Sequence, residues 1–295
     1  MKSFFVILAF LLLSIFLLRL STYAFTDVEK IEITASAQFG KRPSTPVYFP
    51  KDISKKLPLV ISLHGHMAQG RIQDLYFQFK KEVNEEQFVL AIPTGTNDIG
   101  GHHFWNDTIL NLGFLRGHND DDPAAKVNDI GFIDELIEQI AEKTQIDFDR
   151  IFLIGHSNGG FMSYAYACKG KYRIKKIAIL AGGITRQLHC NRHFSILHIH
   201  GTEDGIVQYD GNIPYFFSVE ENLNFWKNLN QCTHESQDLE NFDLTLRPGK
   251  ETTRTRWPQC QSAKTVELWT IQNGWHIPLI NSNFRKEVLK SFFSN

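Results

Sequence analysis

Short apolar runs alternate with longer amphipathic ones along most of this chain, and that alternation predicts its elements. KIEITAS and PVYFP flank the turn signal Gly40-Lys41-Arg42-Pro43 and predict an opening antiparallel hairpin. Six further runs follow: LPLVISLHG (57–65), FVLAIP (88–93), RIFLIG (150–155), KKIAILAG (175–182), FSILHIHG (194–201) and TVELWTIQ (265–272). Each is short, rich in β-branched residues, and stops at Gly, Pro or a polar group. Their apolarity is continuous rather than alternating, which suits strands buried on both faces of a parallel sheet covered by helices.

Between these runs the period lengthens. In DIGFIDELIEQIAEKT, Ile133, Leu136, Ile137, Ile140 and Ala141 fall on one face of a helix, with Asn128 or Asp129 placed to cap it. VEENLNFWKNLNQ and the C-terminal SNFRKEVLKSFF show the same spacing. Strands alternating with helices predict an α/β fold, a doubly wound and mostly parallel sheet with helices on both faces. One stretch breaks the rhythm, from Thr94 to Val127. Loops of that length in a compact domain usually carry function. This one is expected beyond the C-terminal edge of a strand, where such sheets bind ligands.

The N-terminus differs from the rest. Lys2 precedes an apolar run over residues 4–18 that holds a single polar residue, Ser14; Arg19 ends it, and Thr22-Tyr23-Ala24 offers small residues for cleavage. The expectation is a secretory signal peptide over residues 1–24 and a single domain over 25–295. An uncleaved anchor is the competing reading, but Arg19 stops the run short of the ~18 residues of a spanning helix. The chain holds 31 basic and 32 acidic residues; loss of Lys2 and Arg19 leaves a formal charge of −3. No basic run with interleaved aromatics is present, so no nucleic-acid partner is expected. Four cysteines in an exported chain suit two disulfides. Three pairings are open, and the shortest loops favour Cys168 with Cys190 and Cys232 with Cys260.

Candidate chemistry begins at GHSNGG (155–160), where a strand signal meets a helix signal at Ser157. A Gly-x-Ser-x-Gly turn there reads as a nucleophile elbow, which lifts a serine hydroxyl clear of the fold. The hydroxyl needs a base, and the base needs an orienting acid. The run FSILHIHG ends in GTEDGIVQYDG, offering Glu203, Asp204 and Asp210, and TVELWTIQ ends in NGWHIP, offering His276. Both sit at strand ends in the order Ser, acid, His of α/β-hydrolases. Two backbone N–H groups are expected to receive an oxyanion, those of Asn158 after the serine and His66 after the Leu57–Leu63 run. His198 and His200 share a strand face, but no acidic or cysteine partner stands at ligand spacing. They are expected to be buried and hydrogen-bonded, with neither metal nor cofactor required.

GHSNGG, VNDIGFIDELI, LHGH, HHFWND, HIHGTEDGIVQYDG and the late Gly-x-His together resemble the secreted esterases of the polyhydroxybutyrate depolymerase and feruloyl esterase-like family, within the α/β-hydrolases. The resemblance spans roughly residues 30–280. It implies Ser157 as nucleophile, Asp204 rather than Glu203 as the acid, His276 as the base, and a carboxylic ester, small or polymer-borne, as substrate. Trp105 in HHFWND matches an aromatic position of the family's pocket region, where it either stacks on a sugar or phenolic ring or anchors a loop. After the base, relatives often continue Thr-Trp-Pro, whereas this chain has Ile277-Pro278, with Trp275 in front as the other aromatic candidate. A less selective site for small esters is the expectation. A serine peptidase or amidase with the same triad, and a non-catalytic binding protein on a hydrolase scaffold, are the alternatives. Localisation is expected to be secreted or periplasmic, with membrane contact only through a retained N-terminal segment.

Overall fold

A ten-stranded sheet runs through the computed structural model, which describes residues 28–106, 126–184, 188–211, 217–233 and 235–294. Its strands in chain order are β1 (Glu29–Ile33), β2 (Thr45–Phe49), β3 (Leu57–Leu63), β4 (Val89–Ala91), β7 (Ile146–His156), β8 (Lys176–Leu180), β9 (Ser195–Gly201), β10 (Gln237–Phe242), β11 (Thr252–Trp257) and β12 (Val266–Ile271). The short β5 (Thr96–Asn97) and β6 (His103–Phe104) form a separate ribbon. Across the sheet the order is β1-β2-β4-β3-β7-β8-β9-β12-β11-β10. Neighbours from β4 to β12 are parallel, and an antiparallel hairpin closes each edge.

Continuous apolarity has the expected cause. Every residue of β3 and of β8 is buried. Leu59, Ile61 and Leu153 enter the core on one face, while Val60, Phe152 and Ile154 enter the core on the other. The first face is covered by α3 (Asp129–Lys143), α4 (Asn158–Lys169) and α5 (Val219–Leu229), and the second by α1 (Gly70–Phe77) and α6 (Ser282–Phe293). A further short helix, α2 (Val83–Glu86), precedes β4. Asn128 is the cap of α3, its side chain accepting the Gly131 N–H at 2.9 Å. Asp129 instead ties α3 to its neighbours, since its buried carboxylate pairs with Arg42 at 2.8 Å and accepts the Asn106 N–H at 2.7 Å. Ser218 and Glu221 close a capping box on α5.

The cysteines pair as the shortest loops suggest, Cys168 with Cys190 and Cys232 with Cys260. The first ties the end of α4 to the approach to β9, and the second ties the end of α5 to the segment after β11. The β10–β11 hairpin is an addition to the sequence-based expectation, because QDLENF and TTRTRW lack an apolar face and pair at an exposed edge. The signal segment, and residues 107–125 of the Thr94–Val127 excursion, lie outside the described residues.

Candidate active site

β7 ends at His156, α4 begins at Asn158, and Ser157 between them has φ 52° and ψ −121°. A non-glycine residue in that region costs about 1–3 kcal/mol, so its surroundings must impose it. The Ser157 N–H donates to the Leu180 carbonyl at 2.9 Å, and the Ser157 carbonyl accepts from Gly160 at 2.8 Å and Phe161 at 3.1 Å. The flanking glycines are a packing requirement. A Cβ on Gly155 would lie 2.1 Å from the Gly159 carbonyl oxygen, and one on Gly159 would lie 2.3 Å from the Leu63 carbonyl oxygen. Strand, turn and helix therefore cross in backbone contact.

β9 and β12 are parallel neighbours whose C-terminal ends lie at the same edge as the end of β7. Asp204 follows β9 and His276 follows β12. His276 Nε2 lies 2.9 Å from Ser157 Oγ, and its Nδ1 lies 2.8 and 3.0 Å from the two oxygens of Asp204. A carboxylate only accepts, so Nδ1 carries the hydrogen and Nε2 is left to accept from the serine hydroxyl. Asp204 is 4% exposed, and its Oδ1 also accepts the N–H groups of Ile206 and Val207 at 2.9 Å each. Burial alone raises the Asp204 carboxyl, but hydrogen bonds from His200 and His276 outweigh it and hold the group well below the usual carboxylate range. Glu203 points elsewhere, with Oε2 accepting the Trp275 indole N–H at 3.1 Å, and Asp210 is exposed.

Behind Asp204 runs a buried line of polar groups. His200 Nε2 lies 2.7 Å from the Val207 carbonyl and 3.2 Å from Asp204 Oδ2, so it donates. His200 Nδ1 then accepts from His198 Nε2 at 3.1 Å, and His198 Nδ1 accepts from the Tyr164 hydroxyl at 3.1 Å. Burial, and then the neighbouring His200, drive His198 far below its ordinary value, which keeps that ring neutral. The shared strand face of His198 and His200 was legible in the sequence; the part played by Tyr164, about two helical turns beyond the serine, was not.

The loop after β3 is fixed by a third histidine. His64 Nδ1 donates to the Gly65 carbonyl at 2.7 Å, and its Nε2 accepts the Gly95 N–H at 2.9 Å. Burial pushes His64 down to about 3, in keeping with that neutral tautomer. Gly65 lets this loop touch the elbow: a Cβ there would lie 2.8 Å from His156 Nδ1 and 3.4 Å from Ser157 Cβ. His66 comes next, with its ring donating to the buried Asp98 at 3.1 Å. Asn158 sits across from this loop, and its side chain grips the Trp105 backbone, accepting the N–H at 2.7 Å and donating to the carbonyl at 3.0 Å.

Trp105 requires a correction. Its ring is 1% exposed, lies 5.0 Å from the His64 ring and 6.2 Å from Phe132, and donates its indole N–H to the His64 carbonyl at 3.0 Å. A side chain filling the core in this way offers no face to a substrate. The ring anchors the loop that carries His64, Gly65 and His66. Trp275, by contrast, is 64% exposed and borders a groove of about 180 Å³ with Leu246, Ile277, Pro278 and Leu279, so that both chain neighbours of His276 line it.

The model of the phospholipase/carboxylesterase family matches residues 50–240, more than half of the chain. The chain belongs to that family. It is 28% identical over 246 residues to feruloyl esterase B of Piromyces equi, covering 78% of this chain and 42% of that protein. It is 23% identical over 233 residues to a bifunctional acetylxylan esterase/xylanase of Neocallimastix patriciarum, covering 79% and 30%. The chain thus spans less than half the length of these two relatives. Among solved structures, an acetyl xylan esterase from Aspergillus awamori superposes with TM-score 0.58 at 11% identity, covering 90% of this chain and 99% of that one. The Bacillus cereus carboxylesterase superposes with TM-score 0.53 at 16% identity, covering 93% and 99%. These likenesses establish an α/β-hydrolase fold.

Proposed function

We propose that this protein is an exported serine carboxylesterase that works through an acyl-enzyme. The observation that carries the reading is the unbroken line from Ser157 through His276 to Asp204, set on a strained elbow. His276 Nε2 takes the hydroxyl proton as Ser157 Oγ bonds to the carbonyl carbon. The carbonyl oxygen, now anionic, is received by the N–H groups of Asn158 and His66. When the tetrahedral intermediate collapses, the proton on His276 passes to the departing alcohol. Water then repeats the two steps to free the acid and Ser157. Asp204 stays ionised and keeps the imidazole in the tautomer that accepts from serine. These steps need no cofactor.

For substrate, the apolar rim of Leu246, Trp275, Ile277 and Leu279 beside His276 favours an ester with a flat or apolar group, and its open shape also admits acetate esters. Feruloyl or acetyl groups on a plant polysaccharide fit that chemistry and agree with the names of the related proteins. Export is supported by the two disulfides, which suit an oxidising compartment. The test is turnover of the protein lacking residues 1–24 on methyl ferulate, acetylated xylan, aryl acetates, short hydroxybutyrate oligomers and an aryl anilide. The expected result is hydrolysis of the acetates and of methyl ferulate with at most trace anilide cleavage. Anilide cleavage exceeding ester cleavage would replace this reading with an amidase.

A further inference from the structure

At the sheet edge remote from Ser157, positive charge is gathered around a hollow. A cavity of about 250 Å³ is lined by Lys175, Lys176, Arg254, Arg256, Lys264 and Lys290, against only two carboxylates, Glu267 and Glu287. It lies where β8, β9 and β12 begin and α6 ends. An adjoining hollow of about 430 Å³ shares Lys175 and Lys264 and adds Arg173, Arg192 and His193, against Asp149. The whole chain has a formal charge of −1, so overall composition does not account for this concentration.

The two carboxylates are already engaged. Glu267 Oε1 accepts from Arg254 Nη2 at 3.1 Å and from the Trp269 indole at 2.6 Å, and Glu287 stands 3.9 Å from Lys290. Among the described residues, no carboxylate forms an ion pair with Lys175, Arg256 or Lys264. The Nε–H groups of Arg254 and Arg256 are buried without an acceptor. Lys176 is 7% exposed, and among the described residues its ammonium donates only to neutral oxygens, the Ser291 carbonyl at 3.1 Å and the Ser291 hydroxyl at 2.6 Å. Burial, followed by repulsion from Arg256 and Arg254, pushes this lysine down to about 8 even though Glu267 pulls the other way. Lys264 is lowered by burial and then by Lys175 and Arg173.

Like charges held together with unanswered guanidinium hydrogens are most simply matched by an anion that supplies acceptors and charge at once. We infer that this trough binds a ligand bearing repeated oxyanion groups, carboxylates or phosphates, one seated among Arg254, Arg256 and Lys176 and the next near Lys264, Lys175 and Arg173. Repetition follows from the shape, since two basic hollows meet at Lys175 and Lys264. The trough lies at the opposite end of β8 from Leu180, which accepts the Ser157 N–H, so its ligand is not the ester being cleaved. Such a site holds the protein on an acidic polymer while the serine edge faces outward.

The test is calorimetric titration with a galacturonate hexamer and, separately, a linear hexaphosphate, each at matched ionic strength against neutral xylohexaose. At least one polyanion binds, and which one identifies the source of the oxyanion. Arg256→Gln with Lys264→Gln weakens that binding at least tenfold while aryl acetate turnover is unchanged. Arg71→Gln with Lys250→Gln, an equal loss of charge elsewhere, leaves binding intact. Should the trough variant melt early, Lys175→Gln with Lys264→Gln, at part-exposed positions, carries the same expectation. Polyanion binding no stronger than that of xylohexaose, or equal weakening in the two charge-matched variants, overturns the proposal.

Discussion

His156 Nε2 donates to the carbonyl oxygen of His276 at 2.9 Å, so the residue before the elbow serine grips the backbone of the residue whose ring faces that serine. Burial holds His156 down to about 4, which keeps it neutral near pH 7. Its ring packs edge-on to Tyr76 at 5.8 Å, and the Tyr76 hydroxyl donates to the Pro278 carbonyl at 2.7 Å. The His276–Pro278 turn is thereby held at both ends from elements on the far side of the site. Replacing His156 with Ala is expected to lower kcat by about tenfold or more with little change in KM, because the base loses alignment rather than contact with substrate. Tyr76→Phe, which removes one hydroxyl, should cost less. Steady-state kinetics on an aryl acetate decide it, and a rise in KM at constant kcat would place His156 in substrate binding instead.

The Tyr164-His198-His200 line sets a graded expectation. His200 donates directly to Asp204, so His200→Leu should reduce kcat by about tenfold, within the range of losses seen when a group that orients catalytic residues is removed. Tyr164→Phe leaves His198 Nδ1 buried without a donor, costing about 1–3 kcal/mol of stability. Its kcat should stay within about threefold, since two rings separate it from the carboxylate. Melting temperature and kcat measured together separate the two effects. Equal kcat losses at both positions would show that the line acts only through overall packing.

Acid should destabilise the fold earlier than carboxylates alone dictate. His64 is held at about 3 and His156 at about 4, and His198 lies well below its ordinary 6.5, each mainly through burial. The unfolded chain takes up these protons near 6.5 while the folded chain refuses them, so protons favour unfolding. Stability is full above about 6.5 and falls as pH drops toward 4, by about 1.4 kcal/mol per pH unit for each such group. The depressed Asp204 adds loss in the same direction at lower pH. Melting curves between pH 7.5 and 4.5 should show a decline starting just below 6.5. A flat profile down to pH 5 would contradict the buried, neutral state of these rings.

Much of this was legible in the residues for physical reasons. Strands buried on two faces cannot hide their apolarity, so the runs that became β3, β4, β7, β8, β9 and β12 stood out, and parallel strands put their loops at one edge in chain order. That ordering by itself brings Ser157, Asp204 and His276 to a common edge. The β10–β11 hairpin stayed invisible because an exposed edge places no apolar demand on its residues. Trp105 stayed open between two readings because an aromatic in a polar segment looks the same whether it faces a ligand or a core; its 1% exposure and its bond to the His64 carbonyl distinguish them. His156 and His64 act through backbone carbonyls and N–H groups of distant segments, contacts that leave no trace in spacing.

Covalent labelling of Ser157 tests the central claim most directly. The intact protein, treated with a fluorophosphonate, should gain one adduct, mapped by mass spectrometry to the peptide containing Ser157. Ser157→Ala should abolish both the adduct and ester turnover while keeping the wild-type melting temperature, and His276→Ala should slow labelling by about two orders of magnitude or more, the general-base contribution. Ester turnover retained by a folded Ser157→Ala protein, or an adduct on a different residue, would contradict the serine mechanism.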